Sequence, residues 1–226
     1  PIEKKPLYHF HPGTNILSTG PNGCNFTCQF CQNWTISQME AATESVTPEA
    51  LVDMARRNRS IGIAYTYTEP LIWFEYVFDC ARIASKEGLV NVLVTNGYIN
   101  EKPLEEILPL IDAMNIDLKS IRNDFYRKMC GATLGPVQKT IQKAHESCHI
   151  ELTNLIIPDL NDSEEDLRDL IDWIAGLDTK IPLHISRYFP NYHITNPPTP
   201  METMKKAYEI ASEKLAYVYL GNARVE

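Results

Sequence analysis

The sequence predicts an α/β fold built on a largely parallel β-sheet, and two regularities predict it. Short apolar segments alternate with amphipathic segments of helical period along the chain, which is the pattern of repeated β-α-β units. Polar clusters follow the apolar segments, at the edge where parallel α/β folds build their active sites. No internal repeat, linker or low-complexity tract interrupts the alternation, so we expect one domain over residues 1–226.

Each element is predicted from its own pattern. Seven apolar segments predict strands at 15–19, 61–65, 89–94, 112–118, 150–157, 182–186 and 216–220. The helices predicted between and after them lie at 47–59, 70–86, 102–110, 123–129, 136–147, 163–175 and 201–214. Thr47 and Pro48 suit the N-cap and first position of a helix. Ser163 and Asp166 resemble a capping box, and Gly88 ends the helix 70–86.

The composition narrows the class of protein. A length of 226 residues with 44% hydrophobic residues is typical of an ordinary globular protein, and the formal net charge of −8 argues against nucleic-acid binding. No segment approaches the roughly 20 apolar residues of a membrane span. Three of the six cysteines are close together and the other three are far apart in the sequence, a pattern that we interpret as that of a reduced, cytoplasmic protein. We interpret the three separate ones, Cys80, Cys130 and Cys148, as free thiols. Because the chain begins with Pro1 rather than Met, we expect it to be part of a longer protein.

Three of the cysteines lie close together in one loop. Cys24, Cys28 and Cys31 are spaced C-x3-C-x2-C among Gly, Asn and Pro residues, and such a loop can fold around one small object. Thiolates are soft ligands, so the spacing predicts an iron–sulfur cluster or zinc. A structural zinc needs a fourth ligand, which His9 or His11 could supply, whereas a [4Fe–4S] cluster held by three cysteines leaves one iron open. These alternatives and a disulfide stay open on spacing alone.

Polar clusters follow the other predicted strands. They lie at residues 66–70, 95–97, 117–119, 158–162 and 186–188. Each one alone has a simpler explanation as a helix cap, a turn or a solvated strand end. Because the carboxyl ends of parallel strands lie at one edge of a sheet, the clusters and the cysteine loop together predict one site there.

Three segments of the chain resemble those of the radical S-adenosylmethionine (SAM) enzymes. They are residues 4–13, the cysteine loop 23–34 with Phe30 before its last cysteine, and residues 184–190. The resemblance is to the activating-enzyme branch, whose best-known member activates pyruvate formate-lyase, and within it to the radical SAM enzyme of the AmmeMemoRadiSam group. It covers nearly the whole chain and implies a partial (β/α)6 barrel with parallel strands, open on one side.

The resemblance implies two cofactors, a [4Fe–4S] cluster and SAM. Cys24, Cys28 and Cys31 would be the catalytic cysteines that hold the cluster. The reduced cluster would cleave SAM to a 5′-deoxyadenosyl radical, which abstracts hydrogen from a substrate that the sequence does not identify. The implied partners are an electron donor such as flavodoxin or ferredoxin and a small-molecule or protein substrate. A protein substrate would make the chain a glycyl-radical-enzyme activase, and the alternative from another class is a non-catalytic zinc-binding scaffold.

The resemblance also implies which residues contact SAM. They are Phe30, Thr68, Glu69, Asn96, Asp117, Lys119, His184 and Arg187. Thr68 and Glu69 occupy the place of the family's Gly-Gly-Glu-Pro, whose glutamate receives the SAM amino group. Lys119 matches the lysine that steadies the SAM carboxylate. His184 and Arg187 are family signature residues for which we expect contact with SAM or substrate.

Overall fold

The computed structural model describes residues 1–223 and divides into two compact units. Unit 1 comprises Pro1–Asn25, Asn33–Ile116 and Pro136–Ile150. Unit 2 comprises Phe26–Gln32, Asp117–Gly135 and Glu151–Glu226, whose last three residues are outside the described part. The prediction of one domain over residues 1–226 stays a prediction.

Seven parallel strands form the sheet. They are β1 (Leu17–Thr19), β2 (Gly62–Tyr65), β3 (Val90–Thr95), β4 (Ala113–Asp117), β5 (His149–Ile156), β6 (Leu183–Arg187) and β7 (Val218–Gly221). Their order in the sheet follows the chain from β1 to β7, so the first and last strands are its two ends. The pairs within unit 1 and within unit 2 are parallel. The prediction of an α/β fold with an open parallel sheet is confirmed.

Helices connect the strands. They are α1 (Trp34–Ser37), α2 (Pro48–Arg57), α3 (Phe74–Lys86), α4 (Glu101–Ile107), α5 (Asn123–Phe125), α6 (Leu134–Ser147), α7 (Glu164–Leu177) and α8 (Met201–Ser212). Short 3-10 turns at Ile2–Lys4, Pro70–Trp73 and Leu108–Leu110 and a π-helical turn at Tyr126–Cys130 complete them. The segment 123–129, predicted as one helix, is thus α5 followed by the π-turn. In residues 1–223 no helix is long and apolar enough to cross a membrane.

The helix ends follow the predicted capping chemistry. The Thr47 side chain accepts a hydrogen bond from the Ala50 amide at 3.3 Å, and Ser163 accepts one from the Asp166 amide at 3.1 Å. Each satisfies an amide that the first turn of a helix leaves without a partner. Gly88 adopts φ +72° after α3, the left-handed conformation that favours glycine at a helix end.

The start of the chain covers one face of the sheet in unit 1. Ile2 and Leu7 are fully buried and pack against strand residues that are neighbours in register. These strand residues are Ala64, Val92 and Ala113. On the other face, Asn91 of β3 donates to the Ala81 carbonyl of α3 at 3.1 Å. A helix therefore packs on one face of this part of the sheet, and residues 2–7 pack on the other.

Unit 2 contains β5, β6 and β7 with α7 and α8. Helix α8 packs against α7 and against β6 and β7. Its buried residues recur at helical spacing and include Met204, Ala207 and Ile210, which is the apolar stripe of a helix that lies on a sheet.

Candidate functional site

The three predicted cluster cysteines lie on a loop that contributes to both units. Cys24 belongs to unit 1, whereas Cys28 and Cys31 belong to the segment Phe26–Gln32 of unit 2. Cys28 is buried and the other two are half-buried. None of the six cysteines, all of which lie in the described part of the chain, is in a disulfide, so the disulfide alternative has no support.

In unit 1, Cys24 lies beside Asn96, which follows β3. The Asn96 side-chain amide is 3.7 Å from the Cys24 sulfur and donates to Asn25 Oδ1 at 2.7 Å. Asn25 in turn donates to the Tyr98 carbonyl at 2.8 Å. The structure therefore brings the first cysteine and one of the predicted SAM residues into contact.

Glu69 organises the carboxyl ends of β2 and β3. Its side chain is fully buried. One carboxylate oxygen accepts from the Leu71 amide at 3.0 Å and from the Thr95 hydroxyl at 2.7 Å, and the other accepts from the Asn96 amide at 2.7 Å. Hydrogen bonds to a charged acceptor are among the strongest in proteins. Glu69 therefore holds the backbone that carries Asn96, a role that the sequence did not reveal.

The loops that follow β1 and β2 approach each other closely. Thr68 donates its hydroxyl proton to the Gly23 carbonyl, one residue before Cys24. A Cβ atom at Gly20 would overlap the carbonyl oxygens of Thr66 and Tyr67. Glycine is therefore required at position 20 for this approach. Thr68 lies next to the cysteine loop, and its contact with SAM stays a prediction.

In unit 2, the π-turn Tyr126–Cys130 anchors the cysteine loop. The Thr27 amide donates to the Cys130 carbonyl and the Gln29 amide donates to the Met129 carbonyl, both at 2.9 Å. Gly131, at φ +68°, lies so close to Thr27 that a Cβ atom there would collide with the threonine hydroxyl. These contacts fix the backbone on either side of Cys28.

Cys130 is a residue near the cysteine loop that sequence reasoning did not place there. Its thiol forms a hydrogen bond with the thiol of Cys28, and this bond and burial raise the pKa of Cys28. Cys130 is itself fully buried. About one hundred residues separate the two cysteines, and no spacing rule links them, so only the folded chain reveals the pair. Cys80 is buried and Cys148 is half-buried, as interpreted.

Lys119 forms the charged part of the site in unit 2. Its ammonium donates to Asp117 at 2.8 Å and lies 5.9 Å from the centroid of the Phe30 ring. Burial opposes the charged form, but the nearby charge of Asp117 and the hydrogen bond to it raise the pKa of Lys119 well above its ordinary value. Lys119 is therefore a stable buried cation beside the cysteine loop.

His184 and Arg187 have different surroundings. His184 Nε2 lies 2.6 Å from Glu151 Oε2, both side chains are buried, and the imidazole stacks on Tyr219. His184 is the second residue of β6, three residues before the carboxyl end of the strand. Arg187, at that end, donates to the Thr199 carbonyl at 2.7 Å and so holds the loop that follows. Their contacts with SAM or substrate stay predictions.

The chemistry of the cysteines suits an iron–sulfur cluster. Three thiols in one loop are the donors that such clusters use, and metal binding displaces their protons. Among residues 1–223 no three His, Cys, Asp or Glu side chains are grouped as metal ligands. The fit therefore rests on the kind of donor and its spacing. His9 and His11 are both exposed, and the described chain does not group them with cysteines as a zinc site.

Known proteins that resemble the chain in sequence include radical SAM enzymes, which agrees with an iron–sulfur cluster at the three cysteines. Residues 19–174 match the Radical SAM superfamily. The chain is 48% identical over 229 residues to an uncharacterized protein of Methanocaldococcus jannaschii, covering 98% of this chain and 68% of that one. It is 25% identical over 162 residues to the pyruvate formate-lyase-activating enzyme of Clostridium pasteurianum, covering 69% and 67%.

The solved structures resemble the chain in fold. Streptococcus suis SuiB bound to S-adenosylmethionine matches with a TM-score of 0.72 at 11% identity, over 94% of this chain and 52% of SuiB. An identity this low shows the fold alone. The chain thus spans about half the length of SuiB and about two thirds of the two sequence relatives.

The family match decides what the chain is. It covers well over half of the sequence and includes Cys24, Cys28 and Cys31. The superfamily uses a [4Fe–4S] cluster and SAM, so the predicted cofactors are confirmed at the level of the family. The resemblance to pyruvate formate-lyase activating enzymes is confirmed, while the narrower AmmeMemoRadiSam assignment stays a prediction. The chain belongs to the radical SAM superfamily.

Proposed function

We propose that this chain is a radical SAM enzyme whose Cys24, Cys28 and Cys31 hold a [4Fe–4S] cluster. The observation that carries the proposal is the set of three thiols outside any disulfide, spaced C-x3-C-x2-C, in a radical SAM chain. When bound and reduced, the cluster supplies the electron that cleaves SAM and so yields the 5′-deoxyadenosyl radical that abstracts hydrogen from the substrate. The protein's own residues bind and orient the reactants.

Lys119 is the residue we propose for the negative end of SAM. Its ammonium is mostly buried, with 15% of the side chain exposed, and it lies beside Phe30 in the segment that carries two of the cysteines. Asp117 holds the ammonium in place through one hydrogen bond. A fixed, partly desolvated cation attracts a carboxylate more strongly than a solvated one does. The role is positional and electrostatic rather than acid–base.

In unit 1, Asn96 is the residue we propose for direct contact with SAM, and Thr68 and Glu69 position the loops. The Asn96 side chain lies beside Cys24, and its backbone is held by the Glu69 carboxylate. Because that carboxylate accepts three internal hydrogen bonds, its removal would disturb the backbone around Asn96 before any loss of direct SAM contact.

The substrate is a second part of the proposal. Similarity to pyruvate formate-lyase-activating enzymes favours the activase alternative, in which the hydrogen comes from a glycine of a partner protein. A small-molecule substrate is the other alternative. In either case the enzyme needs an external one-electron donor, such as flavodoxin or ferredoxin, and we propose that it works in the cytoplasm.

Metal analysis after anaerobic reconstitution tests the proposal. We expect about four iron and four sulfide per chain, loss of both in Cys24→Ala, Cys28→Ala and Cys31→Ala, and retention in the controls Cys80→Ala and Cys148→Ala. Reconstituted protein with SAM and a strong reductant should then release 5′-deoxyadenosine. One zinc per chain with no sulfide, or a full cluster in Cys28→Ala, would show that the assignment is wrong.

A further inference from the structure

Lys5 is a buried lysine with an unusual position. It lies in the segment 2–7, which covers one face of the sheet in unit 1. The side-chain amide of Asn115, on β4, donates to the Pro6 carbonyl at 2.9 Å and fixes the backbone next to Lys5. Lys5 is only 5% exposed, whereas the adjacent Lys4 is exposed. The fold therefore directs one of two neighbouring lysines to solvent and the other inward.

The Lys5 ammonium lies near the carboxyl end of β2, a strand end that is close in sequence to Glu69. Its Nζ is 4.5 Å from the centroid of the Tyr67 ring, and Tyr67 follows the end of β2 by two residues. Glu69, which holds Asn96 beside Cys24, follows two residues later. Tyr67 is 47% exposed, so the buried ammonium contacts a side chain that reaches the surface.

Within residues 1–223 the Lys5 ammonium donates no hydrogen bond and pairs with no carboxylate. The Glu69 carboxylate is engaged with Leu71, Thr95 and Asn96. Burial and the positive charge of Lys4 lower the pKa of Lys5. An unpaired buried cation is costly, and an apolar residue of similar size would fit here at lower cost.

We propose that Lys5 binds an oxyanion of the substrate, a carboxylate or a phosphate, with segment 2–7 as the floor of that subsite. The ammonium has three donors to offer and a charge that such a group would neutralise. The Tyr67 ring lies against the ammonium and would contact the carbon atoms next to the anionic group. This inference rests on the proposed function and adds the class of substrate, an anionic one.

Thermal unfolding with added anions tests the inference. The reconstituted protein is saturated with SAM, so that the SAM site is filled, and titrated with inorganic phosphate or with succinate at constant ionic strength. Binding to the folded state raises Tm in a saturable way. We expect one of the two anions to bind the wild type. Its affinity should be at least about tenfold lower for Lys5→Met. For the control Lys4→Met, the affinity should be within about twofold of that of wild type.

The two anions distinguish the two chemical sources. Saturable binding of phosphate alone identifies a phosphate subsite, and binding of succinate alone identifies a carboxylate subsite. Equal affinity of the bound anion in wild type and Lys5→Met, or binding of neither anion to the wild type, would overturn the inference. In a wild-type sample with 13C-labelled lysine, the lysine with the lowest titration midpoint should also titrate at higher pH when the anion is bound. This NMR measurement requires no variant to fold.

Further arms separate this inference from the proposed function. Cluster content and SAM affinity should be the same in Lys5→Met as in wild type. If Lys5→Met weakens SAM binding as strongly as Lys119→Met, Lys5 belongs to the SAM site and the inference fails. If the wild type holds no iron–sulfur cluster, the proposed function fails, whereas the anion titration still reports on Lys5.

Discussion

Lys5 in unit 1 and Lys119 in unit 2 are both largely buried, but they differ in their charged partners and in the direction of their pKa shifts. Lys119 donates to Asp117 and has a raised pKa, although 15% of its side chain is exposed. Lys5 is only 5% exposed, its ammonium lies against an aromatic ring, and its pKa is lowered. Burial acts in the same direction on both, so the difference comes from the neighbouring charges.

The difference separates two kinds of binding group. A lysine that already has a carboxylate partner keeps its charge and its position whether or not a ligand is bound. A lysine without one gains its partner only from a ligand, so ligand binding changes its protonation and the stability of the fold. We therefore expect Lys119 to be a cation whether or not SAM is bound, and Lys5 to gain its negatively charged partner from the bound ligand.

The largest expected effect is the loss of stability when the Glu69 carboxylate is removed, and the same variants then serve to test whether Glu69 is an unrecognised partner of Lys5. Glu69→Ala leaves two amides and a hydroxyl without their acceptor, so the free energy of unfolding should fall by about 3–5 kcal/mol. Glu69→Gln keeps one acceptor oxygen and should lose about half as much. Chemical denaturation measures both changes.

A double-mutant cycle completes this test. The effects of Glu69→Gln and Lys5→Met on the free energy of unfolding should add to within about 0.5 kcal/mol if the two side chains are not coupled. A coupling energy well above that value would mean that Glu69 compensates Lys5, and the contrast with Lys119 would disappear.

The second effect concerns the paired lysine. Lys119→Met removes one charge-assisted contact to SAM, worth about 1.5–3 kcal/mol, so SAM should bind roughly tenfold to a hundredfold more weakly. Equilibrium binding of SAM to reconstituted protein measures the change, and the cluster absorption spectrum should stay the same. Lys128→Met, an exposed lysine of the π-turn, is the matched control. Unchanged affinity in Lys119→Met would place SAM elsewhere.

The smallest effect concerns the unpaired lysine. Lys5→Met removes a buried charge that no carboxylate among residues 1–223 compensates, so at neutral pH the variant should be more stable than wild type by about 1–2 kcal/mol. The same comparison for Lys4→Met should give a change within about 0.5 kcal/mol. A clearly less stable Lys5→Met would mean that the ammonium stabilises the fold.

The pH dependence of this difference has a definite sign. Because the pKa of Lys5 is lowered in the folded state, the unfolded chain binds more protons between that lowered value and the ordinary lysine value. The stability of wild type should therefore rise relative to Lys5→Met as the pH rises through this window. The groups beside the ammonium are the Tyr67 ring and Lys4. A gap that widens with pH would contradict the lowered pKa.

The spacing of apolar residues predicted most of the fold, because strands and helices each have a characteristic short-range period. All seven strands and the seven predicted helices appear, with ends that shift by a few residues. The exception is residues 123–130, where a helical pattern becomes a three-residue α-helix and a π-turn. Its hydrogen bonds to Thr27 and Gln29 come from a segment far away in sequence, and no local rule could supply them.

The candidate site was predictable where a family motif marks the residue. Cys24, Asn96, Thr68 and Glu69 come together in unit 1, and Cys28, Phe30, Asp117 and Lys119 come together in unit 2. The internal partners of Glu69, the pairing of Cys28 with Cys130 and the burial of Lys5 were not predictable. Each depends on packing between segments that are distant in sequence, and an isolated lysine or cysteine carries no sign of its surroundings.

The attachment of the cysteine loop to the π-turn has a consequence for the synthesis of the protein. The loop is synthesised before the segment that anchors it, because Thr27 and Gln29 find their backbone partners at positions 130 and 129, about one hundred residues later. Closing so long a segment is an entropic cost that only later contacts offset. Until the π-turn has been made, the thiols belong to an unanchored nascent chain, exposed to oxidants and to competing metals. We therefore expect the loop to retain a cluster only after residues 129 and 130 have been translated.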